Sequence, residues 1–271
     1  MLKTRIITGA VITVVLALII LFSHIPWVLN LTIAALSVQA IYEFYRATKL
    51  KENKALYYIS CAVAVLLSAV TIPHFEYIVI LVFIAAILLF TYLMRNVRTS
   101  KEVKPWIAVC VAAMIVVFFK CMTGIRAKDG GIYLLGMTIL VSVITDMAAY
   151  FVGRGCGKHK LAPVISPKKT VEGSIGGTVF AVVILMLVAF ILNIINILQV
   201  NYTALIIYLI LASVIGQFGD LALSSVKRIV GVKDYGNLLP GHGGILDRFD
   251  SLLFVLPFTY LFFNLVENII I

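Results

Sequence analysis

Charge is what this sequence has least of. Of 271 residues only 13% are charged, and Asp and Glu together number 12, where about a quarter of a soluble domain is charged. Hydrophobic residues reach 62%, well above the roughly 45–50% of a water-soluble fold. A soluble class is thereby excluded, because no single core can hide that excess. Cysteine is sparse too: Cys61, Cys110, Cys121 and Cys156 show no metal-ligand spacing, which excludes a zinc framework and a disulfide scaffold. Alternating apolar and polar residues, the mark of an outer-membrane barrel, are missing, as are internal repeats and low-complexity tracts. A Walker loop is also missing. It needs Gly five positions before the Gly157–Lys158 pair, where Val152 stands, and Ser or Thr after the lysine, where His159 stands.

What is present is a series of apolar runs, each close to the ~20 residues that cross a hydrocarbon core as helix. Candidate spans are Ile6 to Phe22, Leu29 to Tyr45, Ala55 to Ile72, Tyr77 to Met94, Trp106 to Phe119, Ile132 to Val152, Ile175 to Leu198, Tyr202 to Phe218 and Phe249 to Val266. The expected fold is all-α, a polytopic membrane protein of about nine transmembrane helices. Ser23, His24, Ile25 and Pro26 offer no small-x-small cleavage site, so the first span is expected to be retained and not removed as a signal peptide.

The net charge of +10 first has to be read as topology. With the amino terminus in the cytoplasm, inner segments hold 19 of the 22 Lys and Arg, including Lys3, Arg5 and Lys101, as the positive-inside rule requires. Lys120, Arg126 and Lys128 fall in one outer loop. The basicity then needs no nucleic-acid partner. Residues 1–131 read as scaffold helices with short loops. Residues 132–271 read as the catalytic region, with two long cytoplasmic loops at 153–174 and 219–250 that collect Gly, Asp, Ser and basic residues. Long loops in compact proteins are usually functional.

Chemistry concentrates between Asp220 and Asp250. If the eighth helix continues past the membrane edge, Asp220, Ser224 and Lys227 share one helical face. Asp247 and Asp250 are neighbours on one face if the ninth helix starts beside them. Three carboxylates among Lys227, Arg228, Lys233 and Arg248 suit Mg²⁺ with phosphate groups, since Mg²⁺ takes one or two carboxylates plus substrate phosphate oxygens. The bland alternative is that Asp247 and Asp250 merely complement a helix dipole. The stretch 153–174, with Ser166, Lys168, Lys169, Thr170, Glu172 and Ser174, combines cations, hydroxyls and glycines at a helix start, which suits an anion; the alternative there is a positive-inside flank capped by Thr170 and Ser174. Asp146, deep in an apolar span, is costly in lipid and is assigned to the active-site cavity, against an interhelix hydrogen bond. Glu43 is read as a solvated or paired flank of its helix.

From Ser224 the chain reads Ser, any, Val226, Lys227, Arg228, four residues, Lys233, Asp234, any, Gly236, two residues, Leu239, Pro240, any, His242, Gly243, Gly244, Ile245, any, Asp247, Arg248, Phe249, Asp250. This resembles the signature of the phosphatidate cytidylyltransferases, or CDP-diacylglycerol synthases, with every fixed position filled. The resemblance implies that CTP and phosphatidic acid give CDP-diacylglycerol and pyrophosphate in phospholipid biosynthesis. It also implies Mg²⁺ at Asp220 and Asp247 with Asp250 in support, room for a second cation of unassigned identity, and Lys227, Arg228, Lys233 and Arg248 on the phosphates. Ser224 and Asp234 belong to the substrate-binding set. The family carries similar Ser-Pro-Lys-Lys-Thr-x-Glu-Gly segments, associated there with the nucleotide. His242 either protonates the leaving pyrophosphate or holds its turn. The expected setting is a bacterial cytoplasmic (inner) membrane, with the active site on the cytoplasmic side; a homodimer is compatible. Rival readings are a related membrane cytidylyltransferase or lipid kinase and, more remotely, an ion-coupled transporter with Asp146 as its ion site.

Overall fold

The computed structural model describes residues 2–100, 102–241 and 243–266, with the side chains of residues 2–7 and 12 left aside. The topological roles expected of Lys3, Arg5 and Lys101, and the alternatives for His242, therefore lie outside the described residues. Among the described residues there are nine α-helices: α1 Leu2–Leu21, α2 Pro26–Ala47, α3 Lys54–Ala69, α4 Phe75–Arg95, α5 Pro105–Arg126, α6 Gly131–Cys156, α7 Val171–Ile194, α8 Tyr202–Ile229 and α9 Leu246–Leu265. Each grows from one of the apolar runs. Proline opens α2 and α5, where its missing N–H costs nothing. Asn53 caps α3 by accepting the Leu56 N–H at 3.3 Å.

Six of the described helices, α2 and α4 to α8, are long and apolar enough to cross a membrane. At 16 residues α3 is apolar but short, and α9 carries Asp247, Arg248 and Asp250 in its first turns. Their outward faces are apolar. On α4, Leu81 and Leu88 are 71% and 66% exposed, a surface suited to lipid. The chain is an all-α integral membrane protein.

Two features give the long loops their form. First, α8 continues past Phe218 to Ile229, the continuation that puts Asp220, Ser224 and Lys227 on one helical face, so part of the 219–250 stretch is helix. Second, the 153–174 stretch contains a small antiparallel hairpin, β1 Lys160–Ala162 and β2 Ser166–Thr170, with Lys160 opposite Thr170 and Ala162 opposite Ser166. Strands of three and five residues are too short to display a period of two in the sequence.

The chain packs as two compact units, one of Met1–Thr123 with Ser225–Asp250 and one of Gly124–Ser224 with Ser251–Ile271. The first centres on α5, 72% of whose apolar window is buried, with Ile115, Phe118 and Phe119 wholly enclosed. Phe119 meets Phe249 edge-on, with centroids 5.9 Å apart. Lys120 donates to the Ser68 carbonyl at 2.9 Å, satisfying an orphan carbonyl at the end of α3. In the second unit, α6 and α7 approach closely through glycine. A Cβ at Gly177 would stand 2.7 Å from the Thr145 carbonyl oxygen, so only a small residue permits this contact. Tyr208 bridges α6 and α9 through Thr138 and Thr259, at 3.4 and 2.9 Å.

Candidate active site

In the first unit the polar residues of the signature form one buried cluster. Lys227, near the end of α8, donates to Asp247 Oδ1 at 3.0 Å and stands 3.9 Å from Asp250 Oδ2. Its ammonium also lies 5.4 Å from the centre of the Tyr235 ring, a cation–π distance. The other Asp247 oxygen, Oδ2, accepts three backbone N–H groups, from Tyr235 at 2.8 Å, Gly244 at 3.0 Å and Gly236 at 3.4 Å. One carboxylate thus ties both limbs of the turn to the first turn of α9. Burial pushes the Tyr235 phenol well above the usual tyrosine range, and the Asp247 and Asp250 charges push it the same way, so the hydroxyl stays neutral. Gly243, at φ +84°, takes a left-handed conformation that favours glycine. Its N–H-bearing neighbour Gly244 is thereby aimed at Asp247.

A second carboxylate holds this turn from the other side. Glu43, in the last turns of α2, accepts the Ile245 N–H at 3.0 Å and the Leu246 N–H at 2.9 Å, and Gln39 donates to it at 2.9 Å. Only 1% of Glu43 is exposed. Of the two readings of this helix flank, solvated or paired, it is the partnered one, because the turn before α9 closes over it.

In the second unit the hairpin leads straight into α7. Thr170 caps that helix by accepting the Gly173 N–H at 3.1 Å, as a threonine at this position should. The Glu172 carboxylate accepts the His159 backbone N–H at 3.1 and 3.2 Å, and His159 Nδ1 lies 2.6 Å away; the start of β1 is pinned to the first turn of α7. Lys169 pairs with Asp220 of α8 at 2.5 Å, and Ser224 donates to the other Asp220 oxygen at 3.1 Å. Ser174 donates to Gln217, whose amide donates to Thr178 at 3.1 Å. Asp146 accepts from Ser251 of α9 at 2.8 Å, an interhelix hydrogen bond.

Of the residues singled out in sequence, Lys227, Asp247 and Asp250 come together in the first unit, and Lys169, Asp220 and Ser224 in the second. Lys168, Arg228, Lys233, Asp234 and Arg248 are exposed, Ser166 is half-buried in β2, and Arg228 reaches the Val232 carbonyl at 3.5 Å. Sequence reasoning missed Glu43, Tyr235, His159 and Gln217. A signal existed for Glu43: a carboxylate within an apolar helix is costly wherever it stands.

Among the described residues no group of three or more His, Cys, Asp or Glu is arranged to hold a metal ion. Mg²⁺ does not need such a group, because it completes its shell with water and substrate phosphate. The carboxylates of Asp220, Asp247 and Asp250 are the hard oxygen donors this ion takes; those of Asp220 and Asp247 each hold a lysine ammonium, which the ion would have to displace.

Compared with known proteins, residues 3–266 match the sequence model described as the cytidylyltransferase family. A phosphatidate cytidylyltransferase of Bacillus subtilis (strain 168) is 37% identical over 270 residues, covering 95% of this chain and 96% of that protein. Proteins of the same name from Staphylococcus haemolyticus (strain JCSC1435) and Staphylococcus aureus (strain COL) are 43% and 41% identical over 150 residues, 55% of this chain and 56% of each.

Proposed function

The chain belongs to the cytidylyltransferase family, and on that premise we propose that it makes CDP-diacylglycerol from CTP and phosphatidic acid. A phosphate oxygen of phosphatidic acid attacks the α-phosphorus of CTP. The bond from that phosphorus to the oxygen bridging the β-phosphate breaks, and pyrophosphate leaves in line. A phosphate monoester is already a competent nucleophile, so the protein need not remove a proton. Its task is to position two polyanions and to offset their repulsion.

The chain's own residues divide that task. Arg228, Lys233 and Arg248, all exposed, take phosphate oxygens arriving from water or the lipid surface. Lys227 is held in one place by Asp247 and Asp250 and presents a fixed positive charge. The stretch from Ser166 to Ser174 receives the nucleotide, with Lys168 exposed to the solvent from which CTP arrives and free to meet its phosphates. Mg²⁺, drawn to donors among Asp220, Asp247 and Asp250, would supply charge neutralisation at the phosphates.

We infer that the amino terminus and the two long stretches 153–174 and 219–250 face the cytoplasmic side of a bacterial inner membrane, with all nine helices spanning or entering it. The charge distribution supports this side. It also lets a water-soluble nucleotide meet a substrate whose tails stay in lipid.

The observation that carries the reading is the buried cluster of Lys227, Asp247 and Asp250. Burying charges is expensive, and these three sit in the segment whose spacing already points to phosphate chemistry. Incubating the purified protein with radiolabelled CTP and phosphatidic acid, then separating the lipids by thin-layer chromatography, tests it. Labelled CDP-diacylglycerol is expected; no labelled lipid in the presence of Mg²⁺ would refute it.

A further inference from the structure

Glu43 belongs to no motif identified in the sequence, yet it is the carboxylate with which α2 grips the turn ahead of α9. Its helix is apolar and long enough to cross a membrane, a setting in which an ionisable group is expensive and usually has a specific partner. Among the described residues no Lys or Arg pairs with it. What compensates it is hydrogen bonding: two backbone N–H groups from Ile245 and Leu246, and the Gln39 amide.

Those backbone groups stand at the start of α9, where donors have no helical carbonyl to meet. Capping is normally done by the residue just before the helix. Here it comes from α2, 202 residues earlier in the chain for the Ile245 bond. Gly244, Ile245 and Leu246 offer three successive N–H groups; Asp247 takes the first and Glu43 the next two. The glycines on both limbs of the turn make room for this grip: a Cβ at Gly236 would stand 2.6 Å from Glu43 Oε1, and one at Gly244 would collide with the same carboxylate.

We propose that Glu43 is a positioning residue for cytidylyl transfer: it sets the signature turn, and so the direction in which Asp247 holds Lys227, without touching either substrate. The inference rests on the functional reading given above. Replacing Glu43 by Gln keeps the volume but puts an NH₂ where one N–H needs an acceptor, leaving a buried donor unmet. The turn should then loosen while the helices stay packed.

The experiment pairs steady-state kinetics with hydrogen–deuterium exchange on the full chain in detergent. Glu43→Gln is expected to lower kcat by about 10–100-fold, the range typical of groups that orient a working side chain, with KM for CTP unchanged within about twofold. Exchange should quicken in peptides covering residues 235–247 and stay unchanged in those covering the hairpin and α7. Gln39→Ala, which removes one donor to Glu43, should move both readouts the same way by a smaller factor, and decides the matter if Glu43→Gln does not fold. Wild-type kcat with unchanged exchange overturns the proposal. So does faster exchange spread over the whole chain, the result of a merely structural role. If the wild-type protein makes no CDP-diacylglycerol, the functional reading fails, and local exchange at 235–247 alone decides whether Glu43 sets the turn.

Discussion

Lys227 and Asp247 form an ion pair of 3.0 Å whose side chains are only 9% and 2% exposed. A pair so enclosed differs from a surface salt bridge: its worth lies less in the attraction than in the penalty for stranding either partner. The three N–H groups on the far oxygen of Asp247 make the carboxylate a joint between the turn and α9, and Lys227 inherits its position from that joint.

Removing one partner should therefore already cost much of what removing both would. Lys227→Met leaves Asp247 buried beside no ammonium, and about 3–5 kcal/mol of stability should be lost. Adding Asp247→Asn to that variant should cost less than the sum of the two single changes. Thermal unfolding in detergent for the wild type, both singles and the double checks this; strict additivity would show that the two residues are not coupled.

The two lysines of β2 should differ in effect. Lys169 is paired with Asp220, whereas Lys168 is exposed. Lys168→Ala should raise KM for CTP with kcat largely kept, the mark of lost uniform binding. Lys169→Ala should also lower kcat, because it releases Asp220. Identical kinetic profiles for the two variants would contradict the distinction.

The join between the hairpin and α7 should depend on one hydroxyl. Thr170→Ala removes the cap on Gly173 and should destabilise by about 1 kcal/mol, while Thr170→Ser should restore most of it. Urea unfolding of the two variants separates the hydroxyl from the methyl group, and equal stability of the Ala and Ser forms would exclude the cap as the cause.

Much of this architecture was legible before any coordinates. Each of the nine described helices falls on an apolar run, because a membrane helix must be continuously apolar over a fixed length. Its ends were less legible. Hydropathy ends the eighth run at Phe218, but α8 continues to Ile229 with its polar side chains paired, Ser224 on Asp220 and Lys227 on Asp247. The expected face of Asp220, Ser224 and Lys227 follows from that continuation. Glu43 stayed hidden for a different reason. Local pattern shows a carboxylate near a helix end, while the N–H groups that account for it come from the other end of the chain. The argument that singled out Asp146 applies equally to Glu43, and intramembrane position is the signal both share.

Divalent-ion dependence gives a fourth prediction. Asp250, 3.9 Å from Lys227, and Asp220, paired with Lys169, should each shift the Mg²⁺ requirement when changed to Asn, which keeps volume and removes charge. A Mg²⁺ titration of activity for each variant should show half-maximal activation at higher concentration than wild type. Unshifted curves for both would remove these carboxylates from the ion's donors.

The central claim, cytidylyl transfer onto a lipid phosphate, is tested most directly by following two labels through one reaction. CTP labelled at the α-phosphorus and CTP labelled at the γ-phosphorus are each incubated with the wild-type protein, phosphatidic acid and Mg²⁺. The account predicts α-label in the lipid and γ-label in pyrophosphate, in equal amounts, with both lost in Lys227→Met protein that remains folded. Transfer of γ-label to the lipid would instead identify a lipid kinase and contradict the account.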